Sequence, residues 1–244
     1  MAQRQRRSAS KAPSSSLKPF YIALAVIALG GVGWIFYSLA SAGEPAVAPI
    51  ELAGLDDPAA LLAAAKGSEL GQPDAPVQIL IFSDYTCPSC QYWVQTVEPL
   101  VKQEFIDAGK ARLVHYDFPL GGTAQHRHSF IAARAARCAE AQGRFWDYHD
   151  ILFGRQGEWS PAPEPPIDEF VGYANQLGLD RRAFSDCLRS DQFADVVSAS
   201  RQLGESLNVG ATPTVYIGPR TLPGNEWSQY PAVKAAIEAE LGGS

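Results

Sequence analysis

The chain has 244 residues with 20 basic and 26 acidic side chains, a formal net charge of −6. Five bases (Arg4, Arg6, Arg7, Lys11 and Lys18) precede residue 43, so the rest sets 15 bases against 26 acids, a net −11. So acidic a body argues against a nucleic-acid partner, and its length suffices for one domain with a proper core.

In chain order, residues 1–19 form a basic tail and residues 20–42 carry no charge, with Trp34, Phe36 and Tyr37 near the far end. At 1.5 Å per residue this segment can cross a hydrocarbon core of about 30 Å. We read it as a transmembrane anchor whose basic flank stays in the cytoplasm, with everything after Gly43 outside. The rival is a signal peptide cut after Ala40-Ser41-Ala42, although cleaved apolar regions usually run only about 7–15 residues. Either reading exports the functional part, and four cysteines there belong to an oxidising compartment.

Residues 43–67 read as a spacer with one short helix at Asp57-Pro58-Ala59-Ala60-Leu61-Leu62, Asp57 capping and Pro58 at the first position. The apolar run over 77–83 predicts a buried strand, 87–109 a helix and 111–116 a second strand. Asp117 to Gly122 then breaks the chain. From about 123 to 207 the pattern is helical. Phe130, Ile131, Ala135 and Cys138 mark one helix, and Phe145, Trp146, His149, Leu152 and Phe153 a second. Further helices are expected over 170–177, 180–188 and 193–207, beyond a proline-rich loop at 160–166. Strand character returns at Thr214-Val215-Tyr216-Ile217, and 232–241 closes the chain as a helix. That order describes an α/β domain over about 68–244 with a large helical insertion.

Chemistry concentrates at Cys87-Pro88-Ser89-Cys90, where a strand meets a helix. Cys87 falls at the exposed helix start, where free N–H groups and the helix dipole favour a thiolate. Cys90 lies one turn inside, close enough to close a disulfide ring. The pattern points to dithiol–disulfide exchange, with Cys87 as nucleophile, Cys90 as resolving thiol and no cofactor besides their disulfide. An inert disulfide across so short a loop would add little stability. A zinc site wants a second close pair, and Cys138 and Cys187 are each solitary, so no metal is expected.

Asp84 reads as a solvated turn acid, with a proton carrier as the alternative. His115, His126, His128 and His149 show no ligand spacing, and His149 beside Trp146 reads as a packed helix residue. Tyr85, Tyr92 and Trp93 are candidates for a substrate groove, half-buried packing being the alternative.

Several stretches together resemble one family: Leu70 to Val77, Phe82-Ser83-Asp84-Tyr85-Thr86-Cys87-Pro88-Ser89-Cys90, Ala132 to Ala139, Gly143 to Asp150, and Gly210-Ala211-Thr212-Pro213-Thr214. The chain is similar over about 68–244 to DsbA-like thiol:disulfide oxidoreductases, thioredoxin folds with a helical insertion, in a membrane-anchored, Gram-positive-type branch. The resemblance implies a cis peptide bond at Thr212-Pro213, with Pro213 against the redox pair. It leaves the Thr212 backbone, beside Pro88 and Ser89, free to hold an extended substrate peptide. It implies a structural Cys138–Cys187 disulfide, two free thiols or a second redox pair being the alternatives. The family's buried acid, six residues before the first cysteine, is Ile81 here.

The implied activity is oxidation of exported proteins by a monomer, with reoxidation by a quinone-linked membrane partner of the DsbB or vitamin-K-epoxide-reductase type. An isomerase or reductase of the same compartment is the nearest rival. Residues 43–74 are too few for a dimerisation domain, and Thr86 stands where envelope reductases usually carry Trp. A metal-carrying or binding module is the more distant one.

Overall fold

The computed structural model describes residues 57–243 and, before them, only positions 21, 27, 29–31 and 52. The expected anchor over 20–42 therefore lies almost wholly outside the described residues, among which no helix is long and apolar enough to cross a membrane.

A five-stranded sheet organises the domain in the order β1-β3-β2-β4-β5. The strands are β1 (Ser68–Leu70), β2 (Val77–Ser83), β3 (Ala111–Asp117), β4 (Thr214–Ile217) and β5 (Arg220–Thr221). β2 is central. It pairs parallel with β3, Val77 opposite Ala111, and antiparallel with β4, Ile81 opposite Val215. Parallel neighbours need a crossover, and the helical stretch 88–106 provides it.

The pleat sorts β2 and β3 onto two faces. Val77, Ile79, Ile81, Ala111 and Leu113 enter the main core, whereas Phe82, Val114 and Tyr116 enter a smaller cluster behind the sheet. Helix α1 (Pro58–Ala65), capped by Asp57, closes that rear cluster with Leu61 and Ala65, so this part of the expected spacer is core.

The crossover is less regular than the single helix expected. It runs as α2 (Pro88–Tyr92), a π-helical turn (Trp93–Val97), α3 (Glu98–Val101) and a second π turn (Lys102–Ile106). Pro99 accounts for the first: it has no N–H to give and its ring crowds the preceding carbonyls, so the helix widens ahead of it. Gly109, at φ +67°, ends the stretch, with Lys110 donating to the Phe105 carbonyl at 2.8 Å.

The insertion comprises α4 (Ser129–Glu140), α5 (Phe145–Gly154), α6 (Gln156–Trp159), α7 (Ile167–Gln176), α8 (Arg181–Arg189) and α9 (Ala194–Ser206). After β5, α10 (Tyr230–Gly242) closes the domain. The sequence predicts one apolar face on α4, yet every residue from Ser129 to Ala139 is buried, because α5, α8 and α9 all pack on it. Its two arginines are consequently inside. Arg137 Nε donates to Asp117 Oδ2 at 2.7 Å, and its Nη1 reaches the Lys66 carbonyl, Ser68 Oγ and Glu140 Oε2. Arg134 pairs with Asp191 at 3.2 Å and donates to the Ser190 carbonyl.

Beside the Arg137–Asp117 pair, burial pushes His115 down to about 4, Asp117 partly opposing the shift. The folded protein keeps the ring neutral, whereas the unfolded chain takes a proton near 6.5. This contribution is complete above about pH 6.5 and fades as pH falls toward 4, a loss of about 3 kcal/mol. Urea unfolding at pH 7.5 and 4.5 should show that loss and His115→Gln should flatten it; equal pH dependence in both proteins would contradict the assignment.

Candidate active site

β2 ends at Ser83, and Asp84-Tyr85-Thr86 turns the chain into α2. Cys87 occupies the N-cap in an extended conformation with Pro88 at the first helical position, and the Cys87 amide donates to the Asp84 carbonyl at 3.0 Å. Cys90 lies one turn in and receives the Asp84 N–H at 3.5 Å. The two cysteines are present as thiols.

Cys87 is less open than a helix start suggests, only 7% exposed. The Thr212-Pro213 segment lies against it through a cis peptide bond, and the Cys87 thiol donates to the Thr212 carbonyl at 3.4 Å. Pro213 is buried, Thr212 and Ser89 are half-buried and Pro88 is exposed. Residues at 86–90 and 212–213, far apart in sequence, thus form one constellation.

The two sulfurs differ electrostatically. Cys87 is lowered to about 6, chiefly by the hydrogen bond from the Cys90 thiol, which outweighs burial; the Thr212 hydroxyl and the amides of Cys90 and Ser89 add to it. Burial lifts Cys90 well above its ordinary value, and the hydrogen bond to Cys87 pushes the same way. The helix-start amides predicted from sequence therefore contribute, but the partner thiol contributes more.

Asp84 is not solvated. Only 1% exposed, it accepts from the amides of Thr86 and Leu120 and the hydroxyls of Thr86 and Ser129, at 2.6–2.8 Å. His126 Nδ1 joins at 2.7 Å from Thr86 Oγ1. The Thr86 and Ser129 hydroxyls both give their protons to Asp84, so Thr86 Oγ1 accepts from an Nδ1–H of His126. No local motif announces these partners: Leu120, His126 and Ser129 follow more than 30 positions later.

Gln156 was invisible in the sequence for the same reason. Its Nε2 donates to the carbonyls of Tyr85 at 2.7 Å and Cys87 at 3.0 Å, clamping the redox turn to the insertion. Gln91 adds a second tie, to the Phe153 carbonyl at 2.7 Å. A cavity of about 460 Å³ opens beside Thr86 and Pro88, walled by Gln125, Arg127, Gln156 and Ser160. Of the three aromatic candidates for a groove, Tyr85 and Trp93 are core residues, and Tyr92 alone is exposed, at 45%.

Cys138 and Cys187 form a disulfide between α4 and α8, with 5.9 Å between Cα atoms. It closes a 49-residue separation, worth about 4 kcal/mol on the chain-entropy model. Replacing both cysteines by alanine should lower the unfolding free energy by about that amount while sparing exchange at Cys87. Calorimetry beside a peptide-oxidation assay checks this, and loss of exchange in a folded double variant would make the pair part of the chemistry. His149 is packed among rings as expected, yet Glu98, His149 and Asp150 each bring a donor atom within 4.8 Å of the others. Trp93 Nε1 holds that glutamate at 2.8 Å.

Comparison with known proteins agrees with this geometry. A thioredoxin family model matches residues 64–239. Disulfide bond formation protein D of Bacillus subtilis is 29% identical over 178 residues, spanning 71% of this chain and 77% of that protein. A Na(+)/H(+) antiporter NhaA 1 of Salinispora arenicola is 31% identical over 174 residues, but only 24% of its length is covered. The crystal structure of oxidised BdbD from Bacillus subtilis superposes with a TM-score of 0.65 at 27% identity, covering 72% of this chain and 93% of the other. The match runs through the parallel β2–β3 core, the dithiol turn and the helical insertion alike, and on that ground the chain belongs to the thioredoxin family as a DsbA-like protein-disulfide oxidoreductase.

Proposed function

We propose that the protein is an exported, membrane-tethered oxidase that introduces disulfide bonds into secreted or envelope proteins through Cys87 and Cys90. The observation that carries the direction is the contrast between the two sulfurs: a thiolate-favouring Cys87 beside a buried Cys90. A thiolate near 6 stabilises the reduced pair at neutral pH, and a stable reduced pair makes its disulfide a strong oxidant.

In the proposed cycle a substrate thiolate attacks Cys87 in the Cys87–Cys90 disulfide, and Cys90 leaves. A second substrate thiolate attacks the substrate sulfur of the mixed disulfide, releasing oxidised product and Cys87 as thiolate. The Thr212 backbone, with Pro213 behind it and Pro88 and Ser89 at the rim, holds the substrate as an extended peptide. The uncharged segment 20–42 supports a single-pass anchor with the catalytic domain outside. Reoxidation by a quinone-linked membrane partner of the DsbB or vitamin-K-epoxide-reductase type completes the cycle, and the domain acts as a monomer without nucleic acid, metal or added cofactor. The name of the B. subtilis relative, disulfide bond formation protein D, supports the oxidative direction.

The test is to refold a reduced, denatured substrate with the oxidised protein, alongside a substrate carrying scrambled disulfides. The oxidase reading expects catalysis in the first assay. Activity confined to the scrambled substrate would reassign the protein as an isomerase.

A further inference from the structure

We propose that the hydroxyl of Ser83 receives the charge that appears on Cys90 when the Cys87–Cys90 bond breaks, making Ser83 a catalytic residue of the exchange. The proposal rests on the oxidase reading and deepens it at the inner sulfur.

Cys90 is the leaving group of the first step and is fully buried. A charge expelled into so dry a place needs donors waiting for it. The Asp84 carboxylate oxygens accept from Thr86, Leu120 and Ser129 rather than from Cys90. Ile81, on the preceding strand, is apolar core.

The Asp84 N–H donates to the Cys90 sulfur at 3.5 Å, and Ser83, the residue before it at the end of β2, brings a hydroxyl that favours the Cys90 thiolate. Ser83 is itself only 2% exposed, and its Oγ is buried with no hydrogen-bond partner. A buried hydroxyl left idle is costly and calls for a reason. The reason here is that its acceptor is transient: a neutral thiol is a weak acceptor, whereas a thiolate is a strong one. Thr212 Oγ1 repeats the arrangement at the outer sulfur, buried and without a partner beside Cys87.

The step balances as follows. The substrate thiolate's electron pair forms the new bond to Cys87 Sγ, and the pair of the broken S–S bond leaves on Cys90 Sγ. Ser83 O–H and Asp84 N–H donate to that thiolate until it takes a proton from water. After the second exchange two substrate thiols have become one disulfide, the enzyme holds a Cys87 thiolate and a Cys90 thiol, and one proton has gone to solvent.

Two measurements on the whole chain test this. In a Cys87→Ser background, Cys90 is titrated by its ultraviolet thiolate absorbance with Ser83 and with Ser83→Ala. With both cysteines present and oxidised, the single-turnover rate of mixed-disulfide formation with a reduced dithiol peptide is compared among Ser83, Ser83→Ala and Ser83→Thr. Losing a hydrogen bond to a charged group should raise the Cys90 midpoint by about one pH unit and slow the first step about tenfold in the alanine variant, with threonine restoring both. A purely structural role would move the melting temperature and leave the Cys90 midpoint where it was. An unchanged midpoint and rate in a folded alanine variant would overturn the proposal. The titration needs no substrate, so failure of the oxidase reading would show in the refolding assay and leave the Cys90 shift standing.

Discussion

Cys87→Ser should reduce dithiol oxidation to the uncatalysed background while leaving the domain folded. No other sulfur can take over: Cys90 is fully buried and Cys138 and Cys187 are bonded to each other. A serine hydroxyl is not ionised at neutral pH, so neither attack nor departure at that position survives. Cys90→Ser should behave differently. Cys87 remains reachable, but the thiol that forms a disulfide with it is gone. With no intramolecular partner to release it, Cys87 should hold substrates as long-lived mixed disulfides. Initial rates on a labelled dithiol peptide, with mass spectrometry of the trapped species, separate the two variants. Residual turnover in Cys87→Ser, or free Cys87 in Cys90→Ser after reaction with a substrate disulfide, would contradict these roles.

The largest expected loss of stability lies away from the sulfurs. Arg137→Leu should cost about 3–5 kcal/mol, because it leaves Asp117 charged, buried and unpaired. Asp117 and Arg137 join β3 to α4, both side chains being 1% exposed at 2.7 Å. Burial alone would raise the Asp117 carboxyl, but the Arg137 guanidinium overrides it and holds the group below its usual range. The sign follows: the pair's contribution is present above the unfolded value of about 3.9 and is lost as pH falls through the folded value. The double variant Asp117→Leu with Arg137→Leu should recover most of the loss, since an apolar pair has no charge to strand. Urea unfolding of the three proteins checks this, and a double variant as unstable as Arg137→Leu would show that the arginine acts through its other contacts, to Lys66, Ser68 and Glu140.

How much the sequence disclosed depended on the range of the forces involved. β2 and β4 were readable to the residue, because both are short apolar runs fixed by packing on the pleat. β1 and β5, three and two residues long, are too brief to carry a period and exist only as partners for β3 and β4. The dithiol turn was legible as a local motif, whereas the cis Thr212-Pro213 bond was legible only through the family resemblance. Asp84 was misjudged because its burial comes from donors contributed by the loop and helix after β3, which no local pattern reveals. Arg134 and Arg137 look like the polar face of α4 until three helices close around it. Gln156 belongs to no motif, and Ser83, although inside the dithiol stretch, carries no sign there of a role; a buried polar atom and its partners, or lack of them, exist only once the chain has folded.

The account stands on the acidity of the outer sulfur. Titrating Cys87 in the reduced protein by ultraviolet thiolate absorbance should give a midpoint near 6, leaving about nine-tenths of it ionised at pH 7. A midpoint at or above the free-cysteine value of about 8.5 would contradict it, because the reduced pair would then have no source of stabilisation and its disulfide no oxidising drive.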